Sequence, residues 1–322
     1  MKLICKYFPI VLLAFVISCN EEDNKEKEIA AIPVDLKVER FDRQFASAGP
    51  GEIPKLKAQF PYLFPEQFSD SVWLAKLNDT IQQELFQEVD KVFGGFTKEE
   101  TELTALFQHI KYYFPGYTVP QVVTLTSEVQ YNNRIVLTDS ILLIGLDNYL
   151  GKNHHFYRGI ARYITKGLDK QFLVSDVANA FAKRVNTYPR NRTFLSRMVY
   201  YGKELYLKDK VLPNSTDARK IGYEPEEWAW AQANEQQMWR YIVEQELLYS
   251  TDAELDRRFL DPAPFSKFQL ELDSESPGRL GRYMGWQIVR AFMTKNPEVS
   301  LLELLELPAD EIFKNANYKP KK

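Results

Sequence analysis

Apolar residues recur at three- and four-residue steps over most of this chain, and that period constrains the fold more than any other feature. Leu74, Leu77, Ile81, Leu85, Val89 and Val92 form one stripe, which predicts a single amphipathic helix stopped by Gly94-Gly95. Thr97 with Glu100 predicts a capping box. Leu103, Leu106, Phe107, Ile110 and Phe114 then predict a second helix, ending at Pro115-Gly116 and paired with the first as a hairpin. The period changes once. Val119 to Val129 and Ile135 to Leu146 are short, β-branched apolar runs joined by Tyr131-Asn132-Asn133-Arg134, which predicts a small sheet. Helical spacing returns at Val174, Val177, Phe181 and Val185, at Leu195, Met198, Val199, Gly202, Leu205 and Tyr206, and over the long segment Glu226 to Leu248. Ser276 as N-cap with Pro277 in the first turn opens a last helix, running to about Thr294. The expectation is an α+β fold, predominantly helical with a small β-sheet, without internal repeats.

The N-terminus has a different grammar. Lys2 and Lys6 precede the apolar run Tyr7 to Ile17, and Val16-Ile17-Ser18-Cys19 reads as a lipobox with a small residue before the cysteine. Eleven apolar residues are too few for a bilayer, which takes about 20. The expectation is a lipoprotein signal peptide over 1–18, lipidation at Cys19, a polar tether over 19–31 and a single globular domain over 32–322. Acyl chains, at about 0.8 kcal/mol per buried CH₂, would make that anchor permanent. Cleavage elsewhere, leaving Cys19 a free thiol, or an uncleaved anchor are the alternatives. No later stretch reaches the length of a transmembrane helix.

Removing residues 1–18 takes away two lysines, leaving 39 basic against 44 acidic side chains, a net charge of −5. That balance excludes nucleic acid as a general partner. Cys5 leaves with the leader and Cys19 is acylated, so no thiol remains for a disulfide or a metal. Stability must come from a large core, for which 21 Phe, 18 Tyr and 5 Trp supply the material.

Catalytic schemes fail by elimination. The three histidines are His109, within a helical run, and His154-His155, in a loop, and all three read as structural. There is no HExxH, HxH, GxSxG or phosphate-loop pattern, so no metal, cofactor or catalytic residue is expected. Glu226-Glu227, Glu244 with Glu246 and Asp273 with Glu275 could pair as acid and base in glycoside hydrolysis. The first pair is better read as a helix N-terminus after Pro225, and the others as solvated charge. Gly278, Gly281 and Gly285 thin one face of the last helix, with Arg279 and Arg282 beside its start. Close approach of another backbone explains the glycines; anion capture by the arginines and free N–H groups is the functional alternative.

Ile144-Gly145-Leu146-Asp147-Asn148-Tyr149-Leu150-Gly151, the helix Met198 to Leu207 and the segment Pro277 to Met293 resemble the gliding-motility lipoprotein GldB family of Bacteroidota, as do Glu39-Arg40-Phe41-Asp42 and Phe60-Pro61-Tyr62. The resemblance runs in order along nearly the whole mature chain. It implies a cell-envelope lipoprotein on the inner or outer membrane, with the periplasmic face ahead of the cell surface. Its implied partners are the membrane, through the lipid, and gliding or type IX secretion proteins. Acidic residues after Cys19, in Asn20-Glu21-Glu22-Asp23, are only weakly similar to the surface-export signal of such lipoproteins. A more distant resemblance is to gluzincin-type zinc peptidases, in which a Glu-Gly helix follows the HExxH helix. Tyr201-Gly202 stands at the first position, and Val174 to Phe181 replaces the second, implying a degenerate zincin-like scaffold kept for binding. The expected binding residues are Tyr200, Tyr201, Glu204, Arg279 and Arg282. The leading function is non-catalytic protein binding in the envelope. A peptide or glycan hydrolase with an unrecognised carboxylate site is the alternative, and a two-lobed solute receptor is disfavoured by the single strand-like stretch.

Overall fold

A computed structural model describes residues 24–268 and 273–320 of the chain. Cys19, and with it the expected leader and lipidation site, lies outside the described residues. The fold is α+β and mainly helical, as the apolar period predicts. Part of the expected tether is structured: residues 24–30 form helix α1, in which Ile29 is only 1 % exposed. Gln108 donates to the carbonyls of Ala30 and Ile32, and Lys25 to the Tyr113 hydroxyl, so these polar residues are pinned rather than solvated.

The sheet is built from β1 (Val38–Glu39), β2 (Gln121–Leu125), β3 (Ile135–Leu137) and β4 (Ile141–Gly145), in the order β1-β2-β4-β3. β1 and β4 run parallel to β2, and β3 runs antiparallel to β4. Alternation of side chains divides the sheet between two cores. Val122, Leu142 and Ile144 face the main helical core. Val123, with Leu125, Ile141 and Leu143, faces a smaller aromatic cluster built on Phe41, Phe45, Phe60 and Phe64. The two residues of β1 are too few to show a period in the sequence.

That smaller cluster is roofed by α2 (Phe41–Ala46), α3 (Ile53–Gln59) and α4 (Asp70–Leu77), followed by α5 (Thr80–Phe93) and α6 (Thr97–Tyr113). The stripe from Leu74 to Val92 is thus two helices, not one. Asp79 turns the chain and caps α5 by accepting from Gln82 N at 2.8 Å, which leaves Ile81 64 % exposed. Thr97 is the first helical residue and Phe96 occupies the N-cap, so the expected capping box does not form. Nor is a hairpin the main packing of this pair: α5 packs chiefly on α2 and the turn after β4, and α6 on α8 and α9.

The main core is organised by α7 (Arg162–Thr165), α8 (Leu173–Val185), α9 (Phe194–Val211), α10 (Asp217–Ile221), α11 (Pro225–Ala233), α12 (Glu235–Glu244), α13 (Leu280–Lys295), α14 (Leu301–Glu306) and α15 (Ala309–Ala316). The long segment Glu226 to Leu248 is broken at Asn234 into α11 and α12. α13 begins at Leu280 rather than at Ser276, because Ser276 Oγ is spent on Ser266 O and Asp273 O and Arg279 turns into the left-handed region at φ 64°. The dominant contact is α9 against α13, where two glycines meet. A Cβ on Gly202 would lie 2.3 Å from Gly285 O, and one on Gly285 would lie 1.9 Å from Met198 O. This crossing brings the start of α13 beside the middle of α9.

Candidate functional site

Between α8, α9, α10 and the start of α13 lies a cleft of about 550 Å³ whose lining carries eight Lys and Arg side chains against two carboxylates. The helical period explains how a locally unremarkable sequence builds it. On α9, Tyr201, Glu204 and Lys208 fall on one face at steps of three and four, and on α8 Ser175, Asp176, Asn179 and Lys183 do the same. Arg219 and Lys220 come from α10, Arg279 and Arg282 from the start of α13, Lys166 from the C-terminal end of α7, and Arg134 from the loop between β2 and β3.

That loop is held by an inward carboxylate. Asp147, fully buried, accepts from Ser127 N at 2.9 Å and Val129 N at 2.6 Å, which fixes Glu128 and Val129 at positive φ of 56° and 58°. Arg134 then reaches Asp176 through Nε at 2.7 Å, and Asp176 also accepts from the buried Tyr149 hydroxyl at 2.9 Å. Lys166 is paired with Glu227, and Lys220 with Asp209 and Asp217. Lys183, Lys208, Arg219, Arg279 and Arg282 form no ion pair among the described residues.

Lys208 is the deepest of these five, 4 % exposed, donating to Lys220 O at 2.9 Å and Ser175 Oγ at 3.2 Å. Burial pushes its ammonium down to about 8, with the Arg279 and Lys183 charges adding to the fall. Arg279 donates to Gly222 O at 2.8 Å and lies over the Tyr223 ring, and burial likewise lowers it. Arg282 donates to Leu260 O and stacks on Tyr201, its guanidinium 3.8 Å from the ring centroid. The buried Nε of Arg219 has no partner among the described residues. Glu204, 2 % exposed, has an unpartnered Oε1, and burial raises its carboxyl above the usual range despite the neighbouring Tyr200 hydroxyl.

Of the residues expected to bind, Tyr201, Glu204, Arg279 and Arg282 are brought together in this lining. Tyr200 is outside it, its ring against Tyr188 and Tyr201. The glycines before and within α13 serve close packing: Gly278 abuts Ala263 O, Gly281 abuts Phe259 and Leu260, and Gly285 abuts Met198. Lys208, Lys183, Arg219 and Asp176 escaped sequence reasoning, although charged residues on the inward stripes of α8 and α9 were a usable signal.

The other candidates lie elsewhere. His109 bonds to Ala105 O and Glu26, His154 to Glu88 and His155 to Glu84. Glu227 completes a capping box with Glu224, Glu244 lies near Arg240, and Asp273 accepts from Phe268 N. Among the described residues no group of three or more His, Cys, Asp or Glu could hold a metal ion, and no helix is long and apolar enough to cross a membrane. No curated protein and no solved structure shows significant similarity to the chain. A family model described as "Gliding motility protein GldB" does match, over residues 22–320, and the protein belongs to that family of gliding-motility lipoproteins.

Proposed function

We propose that this protein is a non-catalytic lipoprotein, anchored through acylated Cys19 on the periplasmic face of the envelope, with one globular domain behind it that takes in residues 24–30 as well as 32–322. It serves gliding motility or the associated type IX secretion machinery by binding another envelope component. Family membership supports the setting. The observation that carries the binding role is the charge of the cleft: with Arg134, Lys166 and Lys220 ion-paired, five further cations line it without an ion pair among the described residues, an excess that attracts an anionic group and repels a divalent metal. Asp176 is already engaged by Arg134 and Tyr149, so it is a poor candidate to activate water. The cleft is lined by α8 and α9, the two helices that carry the distant peptidase resemblance, and it presents Tyr201, Ser175, Asp176 and Asn179 where that chemistry uses histidine and glutamate.

Cross-linking in the native envelope followed by mass spectrometry tests this reading: gliding or secretion proteins should be captured with wild type and reduced by charge reversal at Lys183. Zinc at near one atom per chain in the purified protein would overturn it. Glu204 favours one second reading, because a buried carboxyl of raised pKa in a cleft is a candidate general acid. Peptide or glycan hydrolysis abolished by Glu204→Gln would establish that hydrolase in place of the binding role.

A further inference from the structure

The unpaired cations of the cleft specify a ligand class more narrowly than "anionic". We propose that the space between α8, α9, α10 and the start of α13 binds a phosphate-class anion, carried as a phosphomonoester or diphosphate on a larger molecule. The inference deepens the binding-lipoprotein reading and rests on it only in treating this cleft as the site.

Charge sets the valence. Lys183, Lys208, Arg219, Arg279 and Arg282 form no ion pair among the described residues; Glu204, the one described acid of the lining outside an ion pair, acts on Lys183, Lys208 and Arg282 together, so an excess of cations remains. A monocarboxylate would compensate one of five cations. A phosphate monoester or diphosphate brings two or more charges and at least three acceptor oxygens, which match guanidinium forks and ammonium donors together.

Geometry sets the rest. Donor capacity remains where a ligand would need it. Arg219 Nε is buried without a partner, Arg279 is held by one bond through Nη2, and Arg282 by one bond through Nε, with its planar group laid on Tyr201. Lys208 uses two of its three donors, on Ser175 and Lys220 O. These anchors are neutral, so they position the cations without cancelling them. At about 550 Å³ the cleft lies in the range of small-molecule sites and far exceeds one phosphate ion. Tyr131, Tyr163 and Tyr201 in the lining offer aromatic faces to the organic part.

The test uses the full-length protein in detergent, titrated by calorimetry with three probes: inorganic pyrophosphate, short-chain dihexanoyl phosphatidic acid, and acetate as the monocarboxylate control. Pyrophosphate or the phosphatidic acid should bind at least tenfold more tightly than acetate. The tighter of the two assigns a soluble phosphorylated source or a lipid headgroup. Lys183→Glu, at the exposed mouth where folding is not at stake, should weaken binding about tenfold, and Arg282→Gln should do so with a thermal midpoint close to wild type. The proposal is overturned if neither phosphate probe binds more tightly than acetate, or if Lys183→Glu leaves the affinity unchanged. Failure of these titrations leaves partner capture in the envelope standing, whereas zinc or Glu204-dependent hydrolysis defeats the parent reading without bearing on phosphate affinity.

Discussion

Gly285→Ala should be among the most damaging single-methyl changes in this protein. The added Cβ would stand 1.9 Å from Met198 O, where ordinary contact begins at 3.4 Å, so α9 and α13 must separate by about 1.5 Å. The obstacle is a helix backbone and cannot rotate away. Overpacking a core typically costs about 1–3 kcal/mol, and an immovable neighbour puts this site at the upper end or beyond. Alanine recovers only about 0.5–1 kcal/mol of helix propensity. A net loss of roughly 3 kcal/mol is expected, or at least 6 °C in midpoint at about 2 °C per kcal/mol for a large domain. Urea unfolding of the full-length protein, followed by tryptophan fluorescence, reads it, since the fully buried Trp286 adjoins the crossing. Gly95→Ala is the control: nothing lies within 4 Å of its Cβ, so its effect should stay within about 0.5 kcal/mol. A Gly285→Ala protein within about 1 kcal/mol of wild type would refute the claim that backbone contact holds this crossing. The same separation moves Arg282 off Tyr201, so anion affinity should fall with stability.

Lys208 makes stability depend on pH. Its folded pKa of about 8 lies below the ordinary 10.5, so the burial penalty is complete below pH 8 and disappears as pH rises to 10.5. Relative to Lys208→Met, wild type should therefore gain about 3 kcal/mol between those limits, at 1.36 kcal/mol per unit, measured by urea unfolding at each pH. The comparison holds constant the groups around the ammonium: Ser175, Asp176 and Lys183 of α8, Glu204 of α9, Lys220 of α10, and Arg279. Asp42, 5 % exposed, accepts two bonds from Arg40 and one from Thr124, so Asp42→Ala should cost about 3–5 kcal/mol by leaving a half-buried guanidinium with only Phe93 O. Asp42→Asn, which keeps an acceptor, should cost less in the same assay. Asp147→Ala removes the acceptor that holds Glu128 and Val129 at positive φ, and should raise hydrogen exchange across 127–134 while leaving α13 protected.

Periodic sequence carried much of this fold. The stripes of α6, α8 and α9 and the β-branched runs of β2 and β4 are local signals, visible because each element buries one face. The errors share a cause. Leu74 to Val92 keeps its period across the Asn78-Asp79 break, so only the turn and the exposed Ile81 reveal two helices. Ser276 and Pro277 look like a helix start, but the serine hydroxyl finds Ser266 and Asp273 instead, a competition no local pattern contains. Asn24 to Glu28 is polar enough to read as tether, yet its side chains find α6.

By itself the sequence determined the fold class, the absence of familiar catalytic motifs and, through resemblance, the family, and it raised the expectation of a lipid anchor. Each rests on residues close together in the chain or on order along it. The cationic cleft was decided by tertiary structure alone. Its charges come from Arg134 to Arg282, and apart from Arg279 and Arg282, which the sequence marks as anion-binding candidates, each lysine or arginine in isolation reads as a solvated side chain on a mildly acidic protein. Only the Gly202–Gly285 crossing, which sets the start of α13 against α9, and the packing of α8 and α10 around them bring those charges together, five of them without an ion pair among the described residues. Electrostatic potential depends on distance in space, and a sequence gives distance only along the chain.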